Sequence, residues 1–114
     1  MSRAPSTLRF LPEALEDLES IKGHNPDHAE RILKKIHEWE SRIEWGRVPQ
    51  ERLTFLTGSP PPYSFYRERV GNSGYRVVYE ISSDVMNVVA ILPKSDQTYD
   101  LEAFERRMDR SDYV

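Results

Sequence analysis

With 114 residues, 38% of them hydrophobic and 31% charged, and a net charge of −3, the chain has the length of a single domain, 1–114, and room for one small core. The absence of cysteine and the presence of only three scattered histidines exclude disulfides, thiol chemistry and cysteine-based zinc sites, and no metal or other cofactor is expected. No apolar run approaches the ~18 residues of a membrane span or forms a signal peptide, so the expected location is cytoplasmic, away from membranes, and any nucleic-acid contact must come from a local patch.

Residues 1–6 and 111–114 are polar and expected to fray, and Thr7–Phe10 alternates like a short strand. Pro12 suits the first turn of a helix, and Leu11, Ala14, Leu15, Leu18 and Ile21 recur at helical spacing as far as Gly23. Asn25 followed by Pro26 is a helix start, and Ala29, Ile32, Leu33, Ile36, Trp39 and Ile43 make the stripe of a second helix that Gly46 closes. Two helices joined by so short a link form a hairpin whose stripes must cover something apolar. Gly46, Pro49, Gly58 and Pro60-Pro61-Pro62 mark a loop around the short apolar piece Leu53–Leu56. Period-two patterns then predict strands over Tyr63–Val70, Tyr75–Ser82 and Val85–Leu92, with turns at Gly71-Asn72-Ser73-Gly74 and Ser83-Asp84. Asp100–Arg110, with Leu101, Phe104 and Met108 on one side, predicts a terminal helix. The fold class is α+β: a helical hairpin on one face of a small twisted antiparallel sheet, a short C-terminal helix, and the opposite sheet face open.

A four-residue connection that closes an unbulged hairpin pairs Val70 with Tyr75, which sets Arg69 opposite Arg76 and Arg67 opposite Val78. One face then carries Tyr66, Val70, Tyr75, Val77, Tyr79 and Ile81, with Glu68 misplaced among them; this is the core face. The other carries Tyr63, Phe65, Arg67, Arg69, Arg76, Val78 and Glu80. Like charges directly across strands destabilise a sheet by ~0.2–1 kcal/mol. Such a pair therefore suggests an anion between the guanidinium groups, which grip phosphate oxygens in a bidentate fork. The bland alternative is an exposed face on which Glu80 balances Arg67 and Arg69. A two-residue turn at Ser83-Asp84 pairs Arg76 with Ile91 and brings Lys94 near the arginines as a substrate-binding cation. Tyr63 and Phe65 are candidates to stack on a base, the usual mode for single-stranded RNA, with simple cover of the sheet as the alternative. His24, His28 and His37 read as surface residues, and Asn87 has no evident role.

Over Arg67 to Ile81, and most specifically at Ser73-Gly74-Tyr75-Arg76-Val77-Val78-Tyr79, the sequence resembles the RelE/ParE superfamily of toxins of type II toxin–antitoxin systems, and is nearest to its RelE branch. The resemblance covers most of the chain, including Leu56-Thr57-Gly58 before the sheet. It implies a microbial-RNase-like fold and a metal-independent endoribonuclease that cleaves mRNA in the ribosomal A site. It also implies the ribosome and a cognate antitoxin as partners, the latter commonly in a heterotetramer. The family's two basic residues before the hairpin fall on Arg67 and Arg69, and its arginine after glycine–tyrosine falls on Arg76. Its late tyrosine falls on Tyr99. A basic residue of the family's hairpin loop is Gly71 here, and its late arginine is Ser95 or lost.

The implied reaction is attack of a ribose 2′-hydroxyl on the adjacent phosphate. Arg69 and Arg76 would stabilise the phosphoryl oxygens, with Tyr99 as a candidate for proton transfer despite an ordinary tyrosine pKa near 10; Glu80 projects from the same face. Two alternatives stand beside this one: a ParE-type inhibitor of DNA gyrase, whose members generally lack the basic trio, and a degenerate RelE-fold protein that only binds its antitoxin, for which the net acidity argues.

Overall fold

The computed structural model describes residues 5–71, 74–82, 84–93 and 99–111. Along the chain these form β1 (Thr7–Phe10), α1 (Pro12–His24), α2 (Pro26–Glu44), a 3-10 turn at Pro49–Arg52, β2 (Thr54–Phe55), β3 (Phe65–Val70), β4 (Tyr75–Ile81), β5 (Val85–Pro93) and α3 (Leu101–Ser111). The helix boundaries follow local chemistry. Asn25 caps α2 by accepting a hydrogen bond from the His28 amide at 3.3 Å, and Pro26 behind it has no amide to satisfy. Gly46 ends α2 at φ +72°, where its amide reaches the Ile43 carbonyl at 2.9 Å and that of Arg47 reaches Arg42 at 3.0 Å. Only a residue without a Cβ takes that left-handed step at little cost.

The strands form one sheet in the order β1-β5-β4-β3-β2. β2, β3, β4 and β5 are antiparallel neighbours, whereas β1 joins β5 in parallel, so the sheet is mixed rather than wholly antiparallel. Pro5 is buried and the Ser6 amide donates to the Asp84 carbonyl at 2.7 Å. The last two residues of the expected N-terminal fray are therefore anchored to the turn before β5.

α1 and α2 cover one face of the sheet, where Ile32, Ile36, Val77, Tyr79, Met86 and Val88 have no exposed surface. Each such side chain contributes ~1.5–3 kcal/mol of burial. Glu68 is accommodated within this face: one carboxylate oxygen accepts from Trp39 Nε1 at 2.9 Å and from the Tyr79 hydroxyl at 3.0 Å.

The opposite face is not open. α3 lies on it and closes a second core of Leu11, Leu56, Phe65, Val78, Val89, Ala90, Phe104 and Met108, with the Phe65 and Phe104 rings edge to face at 5.7 Å. A bulge in β5 serves this core. Tyr79 pairs with Val88 but Val78 pairs with Ala90, so Val89 is inserted and joins Ala90 against α3. The same insertion moves the partner of Arg76 from the expected Ile91 to Leu92. Arg107 of α3 then fastens the bulge, donating from Nη1 to the Val89 carbonyl and to Asp17 Oδ2, both at 2.8 Å. Asp17 also takes the Ile91 amide at 3.1 Å, and Arg110 pairs with Glu13 at 2.9 Å. α1, α3 and β5 are thereby joined through Asp17 and Arg107, with Arg110 and Glu13 as a second ion pair between the two helices. No helix among the described residues is long and apolar enough to cross a membrane.

Candidate active site

The register Val70↔Tyr75 and Arg69↔Arg76 in the β3–β4 hairpin is the one expected from the sequence. It leaves Arg67, Arg69 and Arg76 on the α3 side of the sheet, toward the hairpin end that the helix does not reach. Arg67 sits between Thr54 of β2 and Val78 of β4. Arg69 is exposed, while Arg67 and Arg76 are half-buried. Neither Arg67 nor Arg69 makes an ion pair among the described residues. Two cations held side by side without a carboxylate between them form a site for an anion of at least two oxygens.

Tyr99, just before α3, completes the group. Arg76 Nη1 donates to the Tyr99 hydroxyl at 2.9 Å, and the guanidinium lies 5.5 Å from the ring centroid. The ring rests against the second core, which fixes it without closing it off from solvent. Because its oxygen accepts from Arg76, the phenolic hydrogen is directed elsewhere and is available to a ligand bound at the arginines. Four of the expected site residues, Arg67, Arg69, Arg76 and Tyr99, thus meet in one place. Lys94, Ser95 and Asp96 lie outside the described residues.

Three expectations change. Phe65 has no exposed surface because Phe104 covers it, so it is a core residue and not a platform for a base. Tyr63 packs on Phe65 at 5.9 Å between centroids and donates from its hydroxyl to Asp109 Oδ1 at 2.6 Å, which assigns it to holding α3. Glu80 is buried, 1% exposed, and takes hydrogen bonds from Asn87 Nδ2 at 3.2 Å and the Ser64 amide at 3.4 Å. It neither balances Arg67 and Arg69 nor faces a substrate. Asn87 gains its role here: its Oδ1 accepts from Arg9 Nε at 3.0 Å, so Arg9, Asn87 and Glu80 form one chain of hydrogen bonds across β1, β5 and β4. The sequence signal for that chain was a lone polar residue, Asn87, in the otherwise apolar β5, paired with Glu80 of β4.

The helical face carries Tyr66, Glu68 and Tyr79, each of which burial shifts; the Tyr66 hydroxyl is raised by burial first and then by Glu80. Burial raises the Glu68 carboxyl above its usual range, opposed by the hydrogen bonds from Trp39 and Tyr79. Burial first, then the neighbouring Glu68, pushes the Tyr79 hydroxyl well above the ordinary tyrosine value, so it remains a donor. Among the described residues no three His, Asp or Glu side chains converge as metal ligands. The His24 ring nitrogen meets the Ser20 carbonyl at 2.8 Å, and His28 packs edge to face on Tyr75.

The family described as "ParE toxin of type II toxin-antitoxin system, parDE" matches residues 8–98. The chain belongs to this family of toxins. Among solved structures, a free mutant of Escherichia coli toxin RelE with two arginines replaced by alanine is similar at TM-score 0.58 and 23% identity, covering 93% of this chain and 97% of the RelE chain. The archaeal RelE–RelB complex of Pyrococcus horikoshii OT3 is similar at TM-score 0.53 and 23% identity, over 79% of this chain and 96% of that one. Identities this low establish a shared RelE-like fold and no more. Among curated proteins none matches.

Proposed function

We propose that this toxin is a ribosome-dependent endoribonuclease that inhibits translation by cutting mRNA in the ribosomal A site. The observation that carries this reading is the cluster of Arg67, Arg69 and Arg76 on one sheet face, with Arg76 bound to the Tyr99 hydroxyl at 2.9 Å. In the reaction, a ribose 2′-oxygen loses its proton and attacks phosphorus, and the P–O5′ bond breaks. A 2′,3′-cyclic phosphate and a 5′-hydroxyl remain, and the leaving oxygen takes up a proton. Arg69 and Arg76 meet the phosphoryl oxygens, where the charge grows, and Arg67 extends the positive field. Tyr99, with its hydrogen directed away from Arg76, donates to the phosphate or to the leaving oxygen, a service of the kind worth ~10²–10⁴-fold. Lys94 adds a further charge. The partner in the cell is a cognate antitoxin, which covers the cationic face in a toxin–antitoxin assembly of heterotetramer type, and no cofactor takes part.

The description of the matching family favours a second reading, a DNA gyrase inhibitor of the ParE kind. Induced expression with 5′-end mapping of total RNA decides between them. New 5′-hydroxyl ends inside translated regions, lost in the Arg69→Ala/Arg76→Ala variant, are expected. Growth arrest without such ends and with DNA damage signalling would transfer the protein to the gyrase class. No arrest at all would leave a fold that only binds its antitoxin.

A further inference from the structure

β5 flanks the arginine end of the sheet, and its bulge decides which residue lies beside Arg76. Up to Val88 the strand runs in step with β4, Glu80 pairing with Asn87 and Tyr79 with Val88. Beyond the inserted Val89, Val78 pairs with Ala90, Val77 with Ile91 and Arg76 with Leu92. A shift of one residue exchanges the two faces of a strand. Ile91 therefore lies in the core under the helical hairpin, whereas Leu92 packs on the second core, as Tyr99 does. Without the insertion Arg76 would face Ile91, and Leu92 would fall opposite Tyr75 on the helical face.

A bulge leaves backbone groups without ladder partners, and here side chains take them. β1 reaches only to Phe10, opposite Val88. Past that point the Val89 carbonyl accepts from Arg107 Nη1 at 2.8 Å, the Ile91 amide donates to Asp17 Oδ2 at 3.1 Å, and Arg107 meets Asp17 at 2.8 Å. The two side chains are only 22% and 24% exposed, so solvent weakens this pair less than one on the open surface. Arg107 also belongs to the helix that carries Tyr99. Asp100 caps α3, its carboxylate accepting from the Ala103 amide at 3.1 Å and its carbonyl from the Phe104 amide at 3.2 Å, so Tyr99 joins the first turn with no loop between. One guanidinium thus ties both halves of the Arg76–Tyr99 pair: the bulge that sets the strand opposite Arg76, and the helix that carries Tyr99.

We infer that Arg107 is a positioning residue of this toxin: through the Val89 bulge and α3 it holds the Tyr99 hydroxyl at its 2.9 Å hydrogen bond with Arg76. It acts through Tyr99 and not on the substrate. A reacting group misplaced by ~1 Å loses about 10²-fold in rate, so a clamp that touches no substrate has leverage on kcat.

This inference rests on the endoribonuclease reading, and its test includes a readout that needs no cleavage. The intact toxin carries carbon-13-labelled tyrosine rings; the Tyr99 NMR signal is assigned by its loss in Tyr99→Phe, and its position without the Arg76 bond is taken from Arg76→Ala. Cleavage of mRNA on programmed ribosomes is measured with the same proteins. Arg107→Ala is expected to move the Tyr99 signal toward its place in Arg76→Ala and to lower kcat about tenfold or more, with KM nearly kept. In a Tyr99→Phe background the same substitution should lower kcat by less than about a further twofold, because both changes act through one hydroxyl. Arg107→Lys, which keeps a charged donor, should return the signal and most of kcat. Arg110→Ala removes the other ion pair between α1 and α3 and should change neither, which separates positioning from mere docking of the helix. Arg107→Gln, of similar length but uncharged, is read in the same way if Arg107→Ala does not stay folded. An unmoved Tyr99 signal in Arg107→Ala overturns the inference whether or not the wild type cleaves. An undiminished loss of kcat in the Tyr99→Phe background also overturns it and leaves Arg107 a structural residue. If the wild type cuts no mRNA, the endoribonuclease reading falls, and a Tyr99 signal that moves in Arg107→Ala still upholds the clamp on Tyr99.

Discussion

Arg76 and Tyr99 differ in what their loss should do, because one supplies charge and the other a single polar hydrogen. Arg76→Ala removes the cation that links Arg69 to Tyr99, so on the proposed endoribonuclease reading cleavage on programmed ribosomes should fall by at least ~10²-fold. The accompanying stability loss should stay below ~1 kcal/mol, since the lost hydrogen bond and ring contact are offset by relief of the Arg69 repulsion. A large drop in Tm would make Arg76 a structural residue. Tyr99→Phe keeps the ring on the second core and deletes only the hydroxyl; kcat should fall with KM nearly kept, and full activity would remove Tyr99 from the chemistry. Glu68 makes a pH prediction on the other face. Its carboxyl is raised by burial above the ordinary value near 4.5, so the native state holds its proton over a range in which the unfolded chain has lost it. The stability this group contributes is present below about pH 4.5 and is lost as pH rises through the folded-state value. Glu68→Gln preserves an acceptor for Trp39 and Tyr79 but no longer titrates. Its unfolding free energy should therefore fall less between pH 4.5 and 7 than that of the wild type in denaturant melts. Equal slopes would contradict this assignment.

At the scale of elements, α3 is the part whose presence was legible and whose placement was not. Its stripe of Leu101, Phe104 and Met108 announced an amphipathic helix, but a stripe does not name the surface it covers. The hairpin register fixed which residues face the α3 side, and so the arginine cluster was legible. That Phe65 and Tyr63 lie beneath α3, while Arg69 lies beyond it, depends on where an 11-residue helix stops. The bulge at Val89 was likewise hidden, because an inserted residue in the apolar run Val88–Leu92 leaves no break in the pattern. α3 is held down by Phe104 and Met108 in the core, Arg107 on Asp17 and the Val89 carbonyl, Arg110 on Glu13, and Tyr63 on Asp109. Arg107→Ala leaves Asp17 with only the Ile91 amide and strips the Val89 carbonyl of its donor. This should cost about 1–3 kcal/mol, with hydrogen exchange rising first in α3 and at the bulge. If exchange rises uniformly or not at all, the ion pair is not what docks the helix.

For the whole molecule, the sheet separates two tasks. The helical hairpin supplies most of the core on one face, and the other face is divided between α3 and the arginine end, so charge at the site is set apart from the acidic surface of α1. Glu16 and Glu19 are exposed on α1, which packs on the sheet face opposite to Arg69, and charges interact over only ~10 Å at 0.1 M salt. Replacing both with glutamine removes two negative charges and takes the net charge from −3 to −1. If net charge governs engagement of RNA, this variant should gain activity noticeably. If the local cluster of Arg67, Arg69 and Arg76 governs it, kcat/KM on programmed ribosomes should change less than about twofold at 0.1 M salt, because screening confines the field to the site. Arg69→Gln, a smaller change in total charge, should lower it by at least about tenfold. A gain in the α1 variant comparable in size to the Arg69 loss would show that the whole surface, and not the sheet end, steers the toxin to its substrate.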